Sequence, residues 1–355
     1  MNITFLVGNG FDLACGLKSQ YKDVYTEYNT IRNPGDSDCV VEFRTQLDKK
    51  DKTWGDFELG MAAHATMFSN EADFIDCVRD FSLFLNDYLV NQQKLFWNRF
   101  AEYDKYAKPA VLKHLAESLY QFYSGTTNNT VQQIEKLLFA AKRVSFNFIS
   151  FNYTTVFEEI MRNAINYNAV SGNIFAHSKN YDINLENTIH IHGKLSQDWV
   201  LGVDNLEQFS NIPFPVTENF KHCFIKPYFN QTFDKNRVAQ AAKIIHQSDV
   251  LCIIGMSLGD SDLTWKNEII NWLSESPEHH LFYYSLEMME KTKITAFDRV
   301  RLESEAKQQL CSKLGINNED YLEQIHIPIS KWLFNIRRMT YTYTTGAHVA
   351  HPPIR

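Results

Sequence analysis

The segment Met1–Ala14 reads MNITFLVGNGFDLA, in which an apolar run meets a Gly-x-Gly turn and an acidic residue follows at once. The run Ile3–Val7 predicts a short, fully buried strand that closes at Gly8. The residues after the turn predict a helix that begins near Phe11 or Asp12. A strand, a glycine turn and a helix in this order open a βαβ unit, so the segment favours an α/β fold.

Length, composition and charge narrow the classes of protein. The chain has 355 residues, of which 44% are hydrophobic and 22% charged, a balance typical of one large globular domain or two ordinary ones. The net charge of −7 provides no basic field for non-specific binding to duplex DNA. It does not exclude a basic groove on one part of the surface.

The cysteines and apolar runs predict a reduced, cytoplasmic protein without a membrane segment. None of the six cysteines forms a C-x-x-C pair, so the usual zinc and redox spacings are absent. The first residues lack the pattern of a signal peptide. The apolar run Val250–Ile254 is far shorter than the roughly 20 residues that span a bilayer.

A helical pattern interrupts the α/β pattern. No other glycine and no proline occurs between Gly60 and Pro109, and a stripe of apolar residues recurs there at helical spacing. The members of the stripe are Phe74, Val78, Phe81, Leu85 and Tyr88. We therefore predict a helical insertion over 40–140, a Rossmann-like nucleotide-binding core over 1–38 and 140–290, and a C-terminal helical segment and tail over 290–355.

Further strands are predicted in the second half of the chain. They cover Val144–Phe151, Thr188–His192, Asp249–Gly255 and His280–Ser285, with an amphipathic helix over Val238–His246. Strands that alternate with helices indicate a mainly parallel sheet. In such a sheet the ligand crevice lies beyond the carboxyl ends of the strands.

Four predicted strands end in polar or glycine-rich clusters, which would therefore face one crevice. The clusters are Gly8–Asp12, Phe151–Thr155, His190–Lys194 and Gly255–Asp262.

The first cluster predicts a nucleotide-binding turn. Gly8 and Gly10 allow close approach of the backbone to a ligand, and the helix after them would offer N–H groups to a phosphate. The full G-x-G-x-x-G pattern fails at Leu13. Asp12 fits two roles equally: a first-turn acid, worth roughly 0.3–1 kcal/mol against the helix dipole, or an acceptor for a ribose hydroxyl.

The second and third clusters supply candidate catalytic residues. Asn152 either closes a turn or holds a ribose or a water. His190 and His192 alternate along a predicted strand and so point to opposite faces, which makes them a poor chelating pair. We favour His192, beside Gly193, as the site residue, since a histidine with a pKa of about 6.5 exchanges protons near neutral pH.

The fourth cluster combines a Gly-x-Ser turn with two acids. Asp260 and Asp262 form a weak metal signal, and residues of this kind more often cap the next helix, here expected near Leu263. The turn that contains Ser257 suits contact with a nucleotide.

Taken in order, the motifs resemble the AbiH family of bacterial abortive-infection (anti-phage) proteins. The matching stretches are GNGFDLACGLKSQY (8–21), WGDFE (54–58), SFNYTTVFE (150–158), HIHGKL (190–195) and GMSLGDSD (255–262). A wider likeness is to the sirtuin fold, where similar motifs in the same order build an NAD pocket and an Asn and a His carry the chemistry. The chain lacks the four-cysteine zinc module of sirtuins, which argues against a protein deacylase.

The resemblance implies a sirtuin-like, Rossmann-like sheet with Asn152 and His192 as catalytic residues. Asp12, which replaces the small residue that usually follows the sirtuin glycine turn, is added to them as the spare acidic group. Contacts to the nucleotide are expected from Gly8, Asn9, Gly10, Phe11, Gly255, Ser257 and Asp262. The implied activity is hydrolysis of the N-glycosidic bond of NAD, without zinc, by a homo-oligomer whose helical insertion meets a protein partner or a phage trigger.

Two other functions stay open at this point. The pocket could sense a nucleotide and signal through the insertion to a partner effector. Alternatively, Asp12, Glu58, Asp260 and Asp262 could hold magnesium in a nuclease, although Asp56 and Glu58 could simply face solvent. No metal site is predicted under the NAD reading.

Overall fold

The computed structural model describes residues 1–47, 52–102, 107–170, 180–232, 236–259, 262–291, 294–317, 320–330 and 333–334. The strands are β1 (Asn2–Val7), β2 (Arg143–Ser150), β3 (Asn180–Ile183), β4 (Ile189–His190), β5 (Val250–Ile254), β6 (His280–Tyr284) and β7 (Ile325–His326). The α-helices are α1 (Gly10–Ala14), α2 (Tyr21–Tyr28), α3 (Asp38–Gln46), α4 (Phe57–Ala63), α5 (Glu71–Ala101), α6 (Ala107–Tyr120), α7 (Asn128–Ala140), α8 (Val156–Val170), α9 (Glu218–Phe224), α10 (Lys226–Thr232), α11 (Arg237–His246), α12 (Leu263–Glu275), α13 (Leu286–Glu290) and α14 (Ala296–Leu314).

The strands form one parallel sheet with β1 at its centre. The order is β3-β2-β1-β5-β6-β7, and β4 pairs with the end of β2. Ile3 of β1 lies beside Phe146 on one side and Val250 on the other. Both faces of these strands are covered, which explains why β5 and β6 are buried at every position. The predicted α/β class and mainly parallel sheet are confirmed, whereas the Rossmann-like and sirtuin-like descriptions stay predictions.

The structure differs from the sequence prediction at the edges of the sheet. The strand predicted over Thr188–His192 is reduced to the two residues of β4, because the chain turns at Gly193, whose φ is +77°. The short strands β3 and β7 were not predicted. The helix expected over 290–335 is α14, which ends at Leu314 before β7 begins. The predicted tail from Met339 lies outside the described residues.

Between β1 and β2, the described residues carry helices and no strand. The longest is α5, with 31 residues, which the missing glycine and proline allow. Helices α2 to α5 share an aromatic core in which Phe57 stacks on Phe81 at 3.7 Å between ring centroids. This core also packs against the segment after β4, so the helices are joined to the carboxyl edge of the sheet.

In the described part of the chain, no helix has both the length and the apolar composition that a bilayer crossing requires.

Candidate functional site

A cavity of about 440 Å³, here called the strand-end cavity, opens beyond the carboxyl ends of β1, β2 and β5. Its volume is within the range of small-molecule sites, roughly 300–1,000 Å³. All four predicted clusters contribute to its wall, together with the WGDFE motif and one face of α5. Of the predicted site residues it is lined by Gly8, Asn9, Asp12, Asn152, His192, Gly255, Ser257 and Asp262.

The glycines of the first turn pack against a second glycine turn. A Cβ on Gly8 would lie 2.6 Å from the carbonyl oxygen of Gly255, and a Cβ on Gly10 would lie 2.5 Å from the Gly255 Cα. The Gly10 N–H donates to the Gly255 carbonyl at 2.9 Å, and the Phe11 N–H donates to that of Gly8. These donors are therefore occupied by the protein, and the expected phosphate cradle is not formed by them.

Two predicted nucleotide contacts lie away from the cavity wall. Gly10 is held against Gly255, as described above. The Phe11 side chain is 2% exposed and packs edge-on against Phe157 at 5.0 Å, on the core side of α1. An aromatic residue at this position in a short helix is drawn into the core by its apolar area, so the expected contact of its side chain with a ligand is wrong.

Asp12 is a buried carboxylate whose hydrogen-bond donors, among the described residues, are neutral. Its side chain is 1% exposed. The Thr154 hydroxyl donates to Oδ2 at 2.6 Å and the Asn152 amide donates to Oδ1 at 3.4 Å. Burial raises the pKa of Asp12 to about 7, with the Thr154 hydrogen bond opposing the shift and Glu158 adding to it. Asp12 can therefore take up or release a proton near neutral pH.

Asn152 lies at the end of β2 and is fixed through its backbone. Its carbonyl accepts a hydrogen bond from His190 Nδ1 at 2.9 Å. The side-chain Oδ1 is buried and has no partner among the described residues, while the amide points to Asp12. An unpaired buried acceptor is costly, and Asn152 lines the cavity, so the atom marks a place where a ligand or a water would donate.

The two histidines occupy different environments. His190 is buried, and its Nε2 lies 2.7 Å from Glu158 Oε1. His192 lines the strand-end cavity, and its Nδ1 is buried without a partner in the described chain. Burial, together with the charge of Lys226, holds the pKa of His192 well below its usual value.

The expectation that His192 exchanges protons near neutral pH is therefore wrong, because the ring stays neutral there. It remains a hydrogen-bonding group on the cavity wall.

Glu58 of the WGDFE motif is a second buried acid of the site. The Tyr21 hydroxyl donates to its Oε2 at 2.9 Å, and the Tyr153 hydroxyl to its Oε1 at 3.3 Å. Burial and the neighbouring Asp56 raise the pKa of Glu58 to about 8. The interpretation that Glu58 faces solvent is wrong. Asp56 instead caps α4 by accepting a hydrogen bond from the Leu59 N–H.

Sequence reasoning missed three further residues of the wall. Tyr21 and Tyr153 belong to motifs that were recognised, and Tyr153 directly follows Asn152, so membership of these motifs was the available signal. Lys226 also lines the cavity. It lies in no recognised motif, and nothing in the sequence pointed to it.

The fourth cluster closes its own turn. Asp262 accepts a hydrogen bond from the Gly259 N–H at 3.0 Å. The helix α12 begins at Leu263 as predicted, but the Asp262 side chain makes no capping hydrogen bond to it. Burial raises the pKa of Asp262. Asp260 lies outside the described residues. Among the residues that are described, no group of three or more metal-binding side chains converges.

Acidic side chains outnumber basic ones on the described wall of the cavity. They are Asp12, Asp56, Glu58 and Asp262, against Lys22 and Lys226. Such a surface favours a ligand that carries positive charge at its reacting part and negative charge elsewhere.

A comparison with known families agrees with the motifs. The model of the family "Bacteriophage abortive infection AbiH" matches residues 4–284, which include all four clusters and WGDFE. No curated protein matches the chain.

Proposed function

The chain belongs to the AbiH family of bacteriophage abortive infection proteins, and on that premise we propose that it hydrolyses the N-glycosidic bond of a nucleotide with a cationic base. NAD, whose nicotinamide ring is a pyridinium, is the first candidate. Loss of NAD from an infected cell would stop phage growth. The family supports the anti-phage role, and the chemistry of the cavity supports the reaction.

The observation that carries this proposal is the buried pair of Asp12 and Asn152. A carboxylate with a pKa of about 7 lies beside an amide whose Oδ1 is unpartnered in the described structure. Together they offer two acceptors to one water molecule, which needs such acceptors to become a nucleophile.

The proposed reaction balances without a metal or a redox partner. The water oxygen forms a bond to the anomeric carbon, and its proton passes to the Asp12 carboxylate. The bond between that carbon and the ring nitrogen breaks, and its electron pair neutralises the pyridinium, so nicotinamide leaves uncharged. Positive charge that develops on the ribose is stabilised by the Asp12 carboxylate until it takes up the proton.

The other wall residues have supporting roles in the proposal. Glu58, with a pKa of about 8, is mostly protonated at pH 7 and can donate a hydrogen bond to a ribose oxygen. Neutral His192 can accept one from a ribose hydroxyl. Leu85 and Leu89 of α5 cover the cavity from the helical side, where they limit access of bulk water.

The same helices offer a route for a trigger. Since α5 belongs both to the cavity wall and to the aromatic helical core, a phage product or protein partner bound to that core could open or close the cavity. A homo-oligomer and a cytoplasmic location remain predictions.

The test incubates purified full chain with NAD and follows nicotinamide by chromatography, with magnesium and with EDTA. We expect release that EDTA does not change and that Asn152→Ala lowers by about 10²–10⁴-fold, the usual range for a lost proton-transfer or positioning group. Asn163→Ala, an exposed amide on α8, is the matched control and should act like the wild type.

A second arm covers a protein that is inactive at rest. Cells that express the wild type or Asn152→Ala are challenged with phage, and NAD is measured through infection. Protection without NAD loss would contradict the proposal. EDTA-sensitive cleavage of nucleic acid that survives Asn152→Ala would favour the magnesium nuclease, and tight nucleotide binding without turnover would favour a sensor.

A further inference from the structure

A second cavity, of about 590 Å³, adjoins the strand-end cavity and is here called the Trp265 cavity. His192 and Lys226 line both, so one wall separates the two spaces. Trp265 is 4% exposed and packs edge-on against Phe151, which itself lines the strand-end cavity. The two cavities therefore form neighbouring compartments of one site.

Their walls differ in chemistry. Among the described residues, four carboxylates line the strand-end cavity. The Trp265 cavity is lined by two described carboxylates, Asp204 and Glu268, and adds an indole and the aliphatic side chains of Ile191, Val238 and Ala242. A flat aromatic and aliphatic wall suits a planar base, since it offers apolar area and a ring face or edge.

Lys226 is a cation at the boundary with little to neutralise it. Its side chain is 10% exposed, and its ammonium has, within the described residues, one ion pair: with Asp204 at 4.0 Å, too long for a hydrogen bond. Glu58 and Asp262 also feel its charge, which lowers the pKa of each against burial. Since the Asp204 contact is too long for a hydrogen bond, the N–H donors of Lys226 can, within the described residues, meet a ligand phosphate.

Asn230 supplies an unpaired acceptor one helical turn after Lys226 on α10. It is 8% exposed, it lines the Trp265 cavity, and its Oδ1 has no partner in the described part of the chain. Residues four apart share one face of a helix. A ligand that reached Lys226 with a phosphate would thus bring its base to Asn230, where the oxygen accepts from an exocyclic amino group.

We propose that the substrate is a dinucleotide that occupies both cavities. The scissile glycoside lies in the strand-end cavity, the phosphate linker lies over Lys226, and an amino-substituted base such as adenine lies in the Trp265 cavity against Asn230. This inference rests on the proposed function for the identity of the scissile half, while the second half is argued from the Trp265 cavity alone.

The test compares ligands on the wild type by calorimetry: NAD, nicotinamide mononucleotide, and the NAD analogue with hypoxanthine in place of adenine. We expect NAD to bind at least about tenfold more tightly than the mononucleotide. Hypoxanthine lacks the amino group, so its analogue should bind about tenfold more weakly than NAD, the usual effect of one unpaired buried acceptor.

Variants then assign the residues. Asn230→Ala should abolish the preference for adenine over hypoxanthine, and Lys226→Met should weaken the binding of both NAD and the mononucleotide, because each carries a phosphate. Asn271→Ala, an exposed amide on α12, is the matched control and should change neither the preference nor the affinities. Melting temperatures establish that each variant is folded.

The outcomes separate this inference from the proposed function. Selective binding of NAD without nicotinamide release would reject the hydrolase and keep the two-cavity site. Equal affinity for NAD and the mononucleotide, or an adenine preference that survives Asn230→Ala, would overturn the two-cavity site even if nicotinamide is released. Absence of binding by all three ligands would overturn both.

Discussion

Two regions of the molecule hold carboxylates in opposite ways. In the helical region, Arg44 is 1% exposed and pairs with two partly exposed acids, Asp36 at 2.5 Å and Asp80 at 2.8 Å. In the strand-end cavity, Asp12 and Glu58 receive hydrogen bonds from neutral hydroxyls and an amide. The first arrangement is a structural ion-pair cluster. The second leaves acids whose raised pKa lowers stability, which is typical of a functional site.

The largest effect is expected at Asp12. Asp12→Asn should lower nicotinamide release by about 10²–10⁴-fold, because the amide cannot accept the proton of the water. The same variant should be more stable than the wild type at pH 8. The pKa of Asp12 is raised to about 7 in the folded protein. The wild type therefore loses stability as the pH rises from the pKa of Asp12 in the unfolded chain toward 7, whereas the variant, which has no carboxyl group there, does not.

Kinetics and thermal unfolding at pH 5 and pH 8 measure both halves of this prediction. Asp76→Asn, an exposed acid on α5, is the control for the change of charge. If Asp12→Asn lost activity and stability together, Asp12 would belong with the Arg44 cluster and the comparison would break.

The second-largest effect is expected at Arg44, and it is an effect on stability and not on activity. Arg44→Ala should lower the free energy of unfolding by about 1.5–3 kcal/mol, because it removes the charged hydrogen bonds that Arg44 donates to Asp80. Arg79→Ala, an exposed arginine on α5, should change it by less than about 0.5 kcal/mol. Chemical denaturation gives both values. A small loss at Arg44 would show that the two regions differ less than their contacts indicate.

The same comparison explains what the sequence could predict. Buried parallel strands require unbroken apolar runs, so β1, β2, β5 and β6 were located to within one or two residues. The edge strands β3 and β7 are only four and two residues long, with no such run, and were missed. The order of the strands depends on contacts between distant segments, which a single sequence does not display.

The site was partly predictable for a related reason. Asp12 and Asn152 each follow a predicted strand, so their shared edge could be inferred, although not their contact across 140 positions of the chain. Glu58 was visible as a motif, but its burial depends on how α4 packs against the edge of the sheet. Lys226 and Asn230 carry no pattern at all, and only the fold brings them to the cavities.

A third prediction asks whether a perturbed pKa alone marks a functional site. His280 and His326 are buried against each other at 3.0 Å, far from the strand-end cavity, and burial lowers the pKa of both. At a pH below about 6.5, the pKa of a histidine in the unfolded chain, both side chains bind a proton when the chain is unfolded but not when it is folded. Stability should therefore fall as pH falls, by at most about 1.4 kcal/mol per pH unit for each histidine.

His326→Gln keeps a hydrogen-bonding side chain that does not titrate, and should flatten this slope between pH 6.5 and 5. Nicotinamide release at pH 7.5 should stay as in the wild type. A loss of activity in a stable variant would show that this pair is coupled to the cavity.

The smallest effect is expected at His246, a histidine whose partners make it the surface counterpart of Arg44. Its Nδ1 lies 2.6 Å from Glu275 and its Nε2 lies 2.9 Å from Glu268, both on α12. Burial lowers the pKa of His246, but the two hydrogen-bonded carboxylates outweigh it, so the pKa is raised. Because the pKa is raised on folding, the stabilisation is complete when the pH is below the pKa in the unfolded chain, about 6.5. It is lost as the pH rises through the pKa in the folded protein.

His246→Gln should therefore lower the melting temperature at pH 6 and have less effect at pH 9. The pair is partly exposed, so its contribution at pH 6 should be at most about 1 kcal/mol, and salt should reduce it. Thermal scans of both proteins at the two pH values and at low and high salt measure this. If the two proteins differed in melting temperature by the same amount at pH 6 and pH 9, packing and not charge would join α11 to α12. Pairing of acids with a base would then stabilise this molecule only where the base is buried, as at Arg44.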